Sequence, residues 1–152
     1  MNIEELIRTL YSKKTKEAYA ALKVLLNVSA QSDELYPYFD QFVAMSEDAD
    51  SYIRTRGLLL IAANARWDKD NKIDECIDQL LKHILDEKPI TARQFIKVLP
   101  EIAVYKPDLA ADIKEALRLA DTEIYADSMQ PLVYKDIQAA LKRIQQNGNN
   151  AV

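Results

Sequence analysis

A chain of 152 residues is long enough for one domain with a substantial core, and 49% hydrophobic with 29% charged residues excludes a disordered polymer. Only two glycines and five prolines are present, too few for a sheet built on tight hairpins, so the expected fold is all-α. The net charge of -4 argues against a wholly nucleic-acid-binding surface, and the lone Cys76 excludes an internal disulfide framework and fits a reducing, cytoplasmic setting.

Apolar residues spaced three and four apart recur in eight segments, predicting eight helices. The first, in "MNIEELIRTL", carries Ile3, Leu6, Ile7 and Leu10. It is acidic and amphipathic, unlike a signal peptide, and no run of the sequence approaches the roughly 18 apolar residues that cross a bilayer, so no membrane partner is expected. Ala18, Leu22 and Leu25 mark the second helix, and Leu35, Phe39, Phe42 and Val43 the third. The fourth, "SYIRTRGLLLIAANARW", is apolar nearly all round, yet it bears Arg54 and Arg56 at one end and Arg66 at the other. Ile73, Ile77, Leu80 and Ile84 form the fifth stripe, Phe95, Val98, Leu99 and Ile102 the sixth. Leu109, Ile113 and Leu117 form the seventh, and Leu132, Val133, Ile137, Leu141 and Ile144 the eighth. Pro89 and Pro107 suit first helical positions, Pro100 should kink the sixth helix, and Asn71, Asp74 and Thr15 are candidate caps. Residues 1–145 read as a single domain. The tail 146–152, polar and without periodicity, is expected to be disordered.

A shift of 37 residues superposes Ile53 on Ile90, Arg56 on Arg93 and Leu58 on Phe95, and a shift near 36 brings "EAYAALKVL" under the same helix. Such a period is the signature of a helical solenoid. Four helix pairs follow, at about 2–29, 34–66, 72–104 and 107–145.

The stretch "YPYFDQFVAMSEDADSYIRTRGLLLIA" resembles a HEAT repeat: a proline and apolar residues in the first helix, an acidic turn, then Ile53 with Arg54 and the small Gly57 one turn later. With "RGLLLIAANARWDKDNKIDE" and "DEKPITARQ", most of the chain resembles a small group of uncharacterised bacterial HEAT-like proteins carrying a SufBD-type label. The resemblance implies a right-handed α-α superhelix whose second helices line a concave face where partners sit.

Sorting charges by helix gives the second helices eleven bases against Glu17, Glu101 and Asp136, and leaves the other segments acidic. The expected function is therefore a non-catalytic interaction module or scaffold, binding an acidic protein segment through Arg56, Arg93, Lys97, Lys135 and Lys142. The alternative is nucleic-acid binding, by architectural analogy with HEAT-like alkylpurine DNA glycosylases. For Arg54, Arg56 and Arg93 the competing role is pairing with Asp48, Asp50, Asp86 or Glu87. Asn64 is expected to bond a neighbouring helix, Trp67 to close the core, and the tyrosines to pack with wet hydroxyls.

No nucleophile has a base beside it and no glycine-rich loop could hold phosphate. One histidine, His83, and one cysteine exclude a zinc site, and His83 reads as a surface or packing residue. "DKDNKIDE" lacks the glycine and glutamate of a calcium loop. No cofactor is expected. Oligomeric state, monomer or dimer, stays open.

Overall fold

A computed structural model of the chain describes residues 2–150, of Asn150 the backbone alone. It is 80% helical, with eight α-helices and no strand among the described residues. The helices are α1 (Ile3–Thr9), α2 (Thr15–Gln31), α3 (Phe39–Ser46), α4 (Ser51–Ala63), α5 (Lys72–Leu81), α6 (Pro89–Tyr105), α7 (Ala110–Leu119) and α8 (Gln130–Asn150). Short 3-10 turns precede α3 and α7, follow α4 and α5, and occupy Thr122–Ile124 before α8. The chain divides into two compact units, Met1–Asp70 and Asn71–Val152.

In the first unit α1 packs on α2, α3 on α4, and α2 on α4. Phe39, Phe42, Met45, Leu58, Leu60 and Ile61 fill its core. The approach of α3 to α4 depends on Gly57, because a Cβ there would lie 2.7 Å from the Met45 Cβ, 2.8 Å from the Phe42 carbonyl oxygen and 2.9 Å from the Ser46 nitrogen. A bare backbone at one position thus lets the two helices close on each other. The small residue of the sequence pattern has a packing reason.

In the second unit α6 packs on α8 and, less extensively, on α7, while α7 also contacts α8. Ile73, Leu80, Phe95, Ile96, Leu99, Ile113 and Val133 are fully buried. Pro89 starts α6 as expected, and Pro100 sits inside it without ending it. Having no N–H, Pro100 cannot bond the Ile96 carbonyl, but the residue is buried within the helix.

Three local expectations differ from what is seen. Asn71 precedes α5 in the left-handed conformation, φ 56°, and does not cap it; its Oδ1 accepts instead from Lys106 Nζ at 2.7 Å. Thr15 is the first residue of α2 and makes no cap, while Asn2, Asp50 and Asp121 cap α1, α4 and the Thr122–Ile124 turn. Residues 146–150, expected in a disordered tail, continue α8; residues 151 and 152 lie outside the described residues. Once Val133, Ile137, Ala140 and Ile144 have anchored α8, each further turn adds hydrogen bonds without a new nucleation cost. Asn147 and Gly148 also line a groove of about 250 Å³ with Ala103, Val104, Pro107 and Ala110.

Side-chain bonds inside each unit connect residues one sequence period apart. Asn64 reaches Ser29, Arg66 reaches Ala30 and Lys106 reaches Asn71, separations of 35, 36 and 35 residues.

Candidate partner-binding site

The arginines of the fourth helix turn inward. Arg54, 6% exposed, donates from Nη1 to the carbonyls of Asp48 and Ala49 at 3.1 and 3.0 Å, in the turn that follows α3. Arg56, 7% exposed, donates from Nη1 to the carbonyl of Leu10 at 2.6 Å, at the C-terminal end of α1. Its guanidinium lies 5.8 Å from the Tyr52 ring centroid. Burial pushes the Arg56 pKa below its usual value, with the charge of Asp50 opposing that shift. Arg66 donates to the Ala30 carbonyl at 2.8 Å and Trp67 Nε1 to the Ser29 carbonyl at 2.7 Å, both in the last turn of α2.

One cause covers the contacts of Arg56, Arg66 and Trp67. Helix C-termini leave carbonyls without intrahelical partners, and a glycine in the left-handed conformation commonly closes such ends. Here no glycine adopts positive φ. Long donors from the next helix pair supply the missing N–H groups, and cations also suit the negative end of the helix dipole. Arg56 was expected to face a partner; its only side-chain donor bond among the described residues goes to a backbone carbonyl beneath the surface, so it is unavailable for that role.

In the second unit Arg93 Nε donates to Asp136 Oδ2 at 2.6 Å, tying α6 to α8. Its carboxylate partner is thus on α8 and not in the preceding acidic turn. Lys97, Lys135 and Lys142 are exposed, and no ion pair engages them among the described residues. Each helical residue rotates by about 100°, so Asp136 and Arg143, seven apart, share the flank of α8 nearer α6, whereas Lys135 and Lys142 share a ridge turned away from it. Lys97 is on α6, one turn beyond Arg93, and not on α8. The five expected residues therefore do not form one strip: one is buried, one is ion-paired, and three remain exposed. Arg143 is exposed as well.

Beside the lysine ridge lies a feature that the sequence reading missed. Thr122, Gln130, Pro131, Leu132, Tyr134 and Lys135 line a shallow cleft of about 590 Å³, wide open to solvent. Leu132, expected in the core stripe of α8, is 39% exposed there, and Tyr134 is 57% exposed. The loop forming the far wall is pinned from below. Tyr125, buried, donates its hydroxyl to the Asp86 carbonyl at 2.5 Å, and Gln130 Nε2 donates to the Tyr125 carbonyl at 2.8 Å. Burial, reinforced by the charge of Asp86, pushes the Tyr125 pKa up to about 12.

Asp86 is itself buried, 2.8 Å from His83 Nδ1, and its other carboxylate oxygen accepts from the Lys88 amide at 2.9 Å. His83 packs edge-on to Phe95, ring centroids 6.3 Å apart, the packing role expected of it. Neither cleft described above is lined by this pair.

The remaining singled-out residues are structural. Asn64 Nδ2 donates to Ser29 Oγ on α2 at 3.0 Å and to the Leu60 carbonyl of its own helix at 2.9 Å. In the acidic turn, Asp68 Oδ1 accepts from the Tyr36 hydroxyl at 2.7 Å, and the Asp70 amide donates to that hydroxyl at 3.2 Å. Tyr36 is therefore held neutral, its pKa raised by burial and then by its bond to Asp68. Tyr36 and Tyr125 thus depart from the expected wet hydroxyls. Among the described residues no group of three or more His, Cys, Asp or Glu side chains is placed to hold a metal ion, and no helix is long and apolar enough to cross a membrane.

Compared with known proteins, the chain matches no protein-family model, no curated protein and no solved structure.

Proposed function

We propose that the chain is a HEAT-like, non-catalytic interaction module that binds an acidic protein segment in the cytoplasm through the exposed lysines of its second unit. The observation that carries this reading is the division among the cations. Arg54, Arg56, Arg66 and Arg93 are engaged within the molecule, while Lys97, Lys135 and Lys142 are exposed and without an ion pair among the described residues. Ammonium groups on flexible stems contribute little affinity each, about 0–1 kcal/mol per exposed pair, but they steer an acidic partner and select against a basic one.

Fluorescence anisotropy with labelled poly-L-glutamate, at low and at physiological salt, tests it. Binding should weaken with salt, vanish in a Lys135→Glu, Lys142→Glu variant, and persist in Arg56→Met. Equal binding by wild type and the lysine variant rejects the reading. Binding to duplex or single-stranded oligonucleotides without binding to poly-L-glutamate puts nucleic acid in its place.

A further inference from the structure

We infer that the cleft between the Thr122–Ile124 turn and the start of α8 receives a large apolar side chain of the acidic segment, so that recognition has two parts: an apolar anchor in the cleft and carboxylates along Lys135 and Lys142. This rests on the acidic-partner reading above and adds to it a place and a partner chemistry.

The cleft joins exposed apolar surface and positive charge. Its walls expose Leu132 and the ring of Tyr134, and Lys135 stands on its rim. Lys142 follows seven residues later on the same side of α8, about 10 Å along the axis at 1.5 Å per residue. The cleft therefore opens onto a positive track. On the other wall Thr122 stands between Asp121 and Glu123 in sequence, and the loop's Asp127 accepts from the lining Gln130 Nε2 at 3.4 Å, so the segment facing α8 is acidic. That polarity orients the occupant: its carboxylates lie over α8, away from the loop, with its apolar side chain between.

Shape supports the same occupant. Tyrosine offers a wide apolar face with few rotatable bonds, the kind of side chain on which interface affinity concentrates. Pro131 holds the first turn of α8, and Tyr125 with Gln130 fixes the loop, so the cleft is formed before anything enters it. A preformed cleft loses little conformational freedom on binding. Lysines alone discriminate charge but not sequence, and an apolar anchor beside them supplies the missing selectivity.

Selection of a random twelve-residue peptide library on the full chain, followed by anisotropy titration of the enriched peptides, tests the inference. The expected consensus places Leu, Phe, Met or Trp within about two helical turns of two or more Asp or Glu. Affinity for such a peptide should fall at least tenfold in a Leu132→Ser, Tyr134→Ser variant, while poly-L-glutamate binding stays unchanged. Thr122→Trp, which fills the cleft from the other wall, should produce the same loss if the double variant unfolds. An acidic consensus with no apolar position, or equal affinity for the cleft variants, overturns the anchor and leaves the acidic-partner reading standing. Basic peptides, no enrichment, or apolar peptides indifferent to Lys135→Glu, Lys142→Glu overturn both. A dimer seen by light scattering and abolished by the cleft variants overturns the inference in favour of a second copy as occupant.

Discussion

Replacing Gly57 by alanine should destabilise the first unit by about 1–2 kcal/mol, against the general preference of helices for alanine. The added Cβ would meet three atoms of α3 at 2.7–2.9 Å, some 0.5–0.7 Å inside the 3.4 Å at which ordinary contact begins. Two of those atoms, the Phe42 oxygen and the Ser46 nitrogen, are backbone and cannot rotate away, so α3 as a whole must retreat. Retreat loosens Phe42 and Met45, both essentially without exposure. Overpacking of this kind costs about 1–3 kcal/mol, and the absence of a flexible neighbour puts the cost toward the upper end; about 1 kcal/mol returns from the better helix propensity of alanine. Gly148→Ala is the internal control, because nothing lies within 4 Å of its Cβ position, and it should be neutral or stabilising by up to about 1 kcal/mol. Urea unfolding followed by far-UV circular dichroism compares the two. If Gly57→Ala matches the wild type or exceeds it, the close approach of α3 and α4 is not what requires glycine.

Arg56→Met should cost about 1–3 kcal/mol in the same unfolding assay, since it strands the buried Leu10 carbonyl, yet leave poly-L-glutamate binding as it was. A double-mutant cycle on Arg93→Gln and Asp136→Asn should return a coupling of about 1 kcal/mol or less, as the arginine keeps part of its exposure; a far larger value would mean that the pair organises the second unit. The folded-state pKa of Tyr125 lies above the ordinary value of 10.0, so its stabilising contribution is complete below about pH 10 and is lost as pH rises toward about 12. Tyr125→Phe should therefore flatten the alkaline loss of stability, and tyrosinate absorbance should lose its late-titrating amplitude in Tyr125→Phe and again in Tyr36→Phe. Unchanged titration curves would show those hydroxyls to be in water.

The eight helices were legible because their determinant is local: apolar residues repeating every three or four positions state both the element and the side it buries. The initiating Pro89 was legible for the same reason, being a property of one residue in one helix; Gly57 stood out only as the small residue of the repeat pattern, and the approach of α3 that requires it is tertiary. The period of about 36 named equivalent positions but not the contacts between them; Asn64 on Ser29 and Arg66 on Ala30 are pairings that only the packed structure supplies. Charge sorting by helix could not foretell where each cation points. Arg56 and Lys135 are equally basic in sequence; they differ because a carbonyl at the end of α1 lies within reach of one and solvent surrounds the other. The cleft was illegible on similar grounds. Leu132 obeys the helical period but is only partly covered, 39% exposed, and whether a stripe residue is covered depends on how far the adjoining loop extends. Sequence thus determines which faces are apolar and which groups carry charge, because these follow from side-chain chemistry and helical rotation. Tertiary packing decides which charges are neutralised and which apolar residues stay exposed, because both depend on distances between segments remote along the chain.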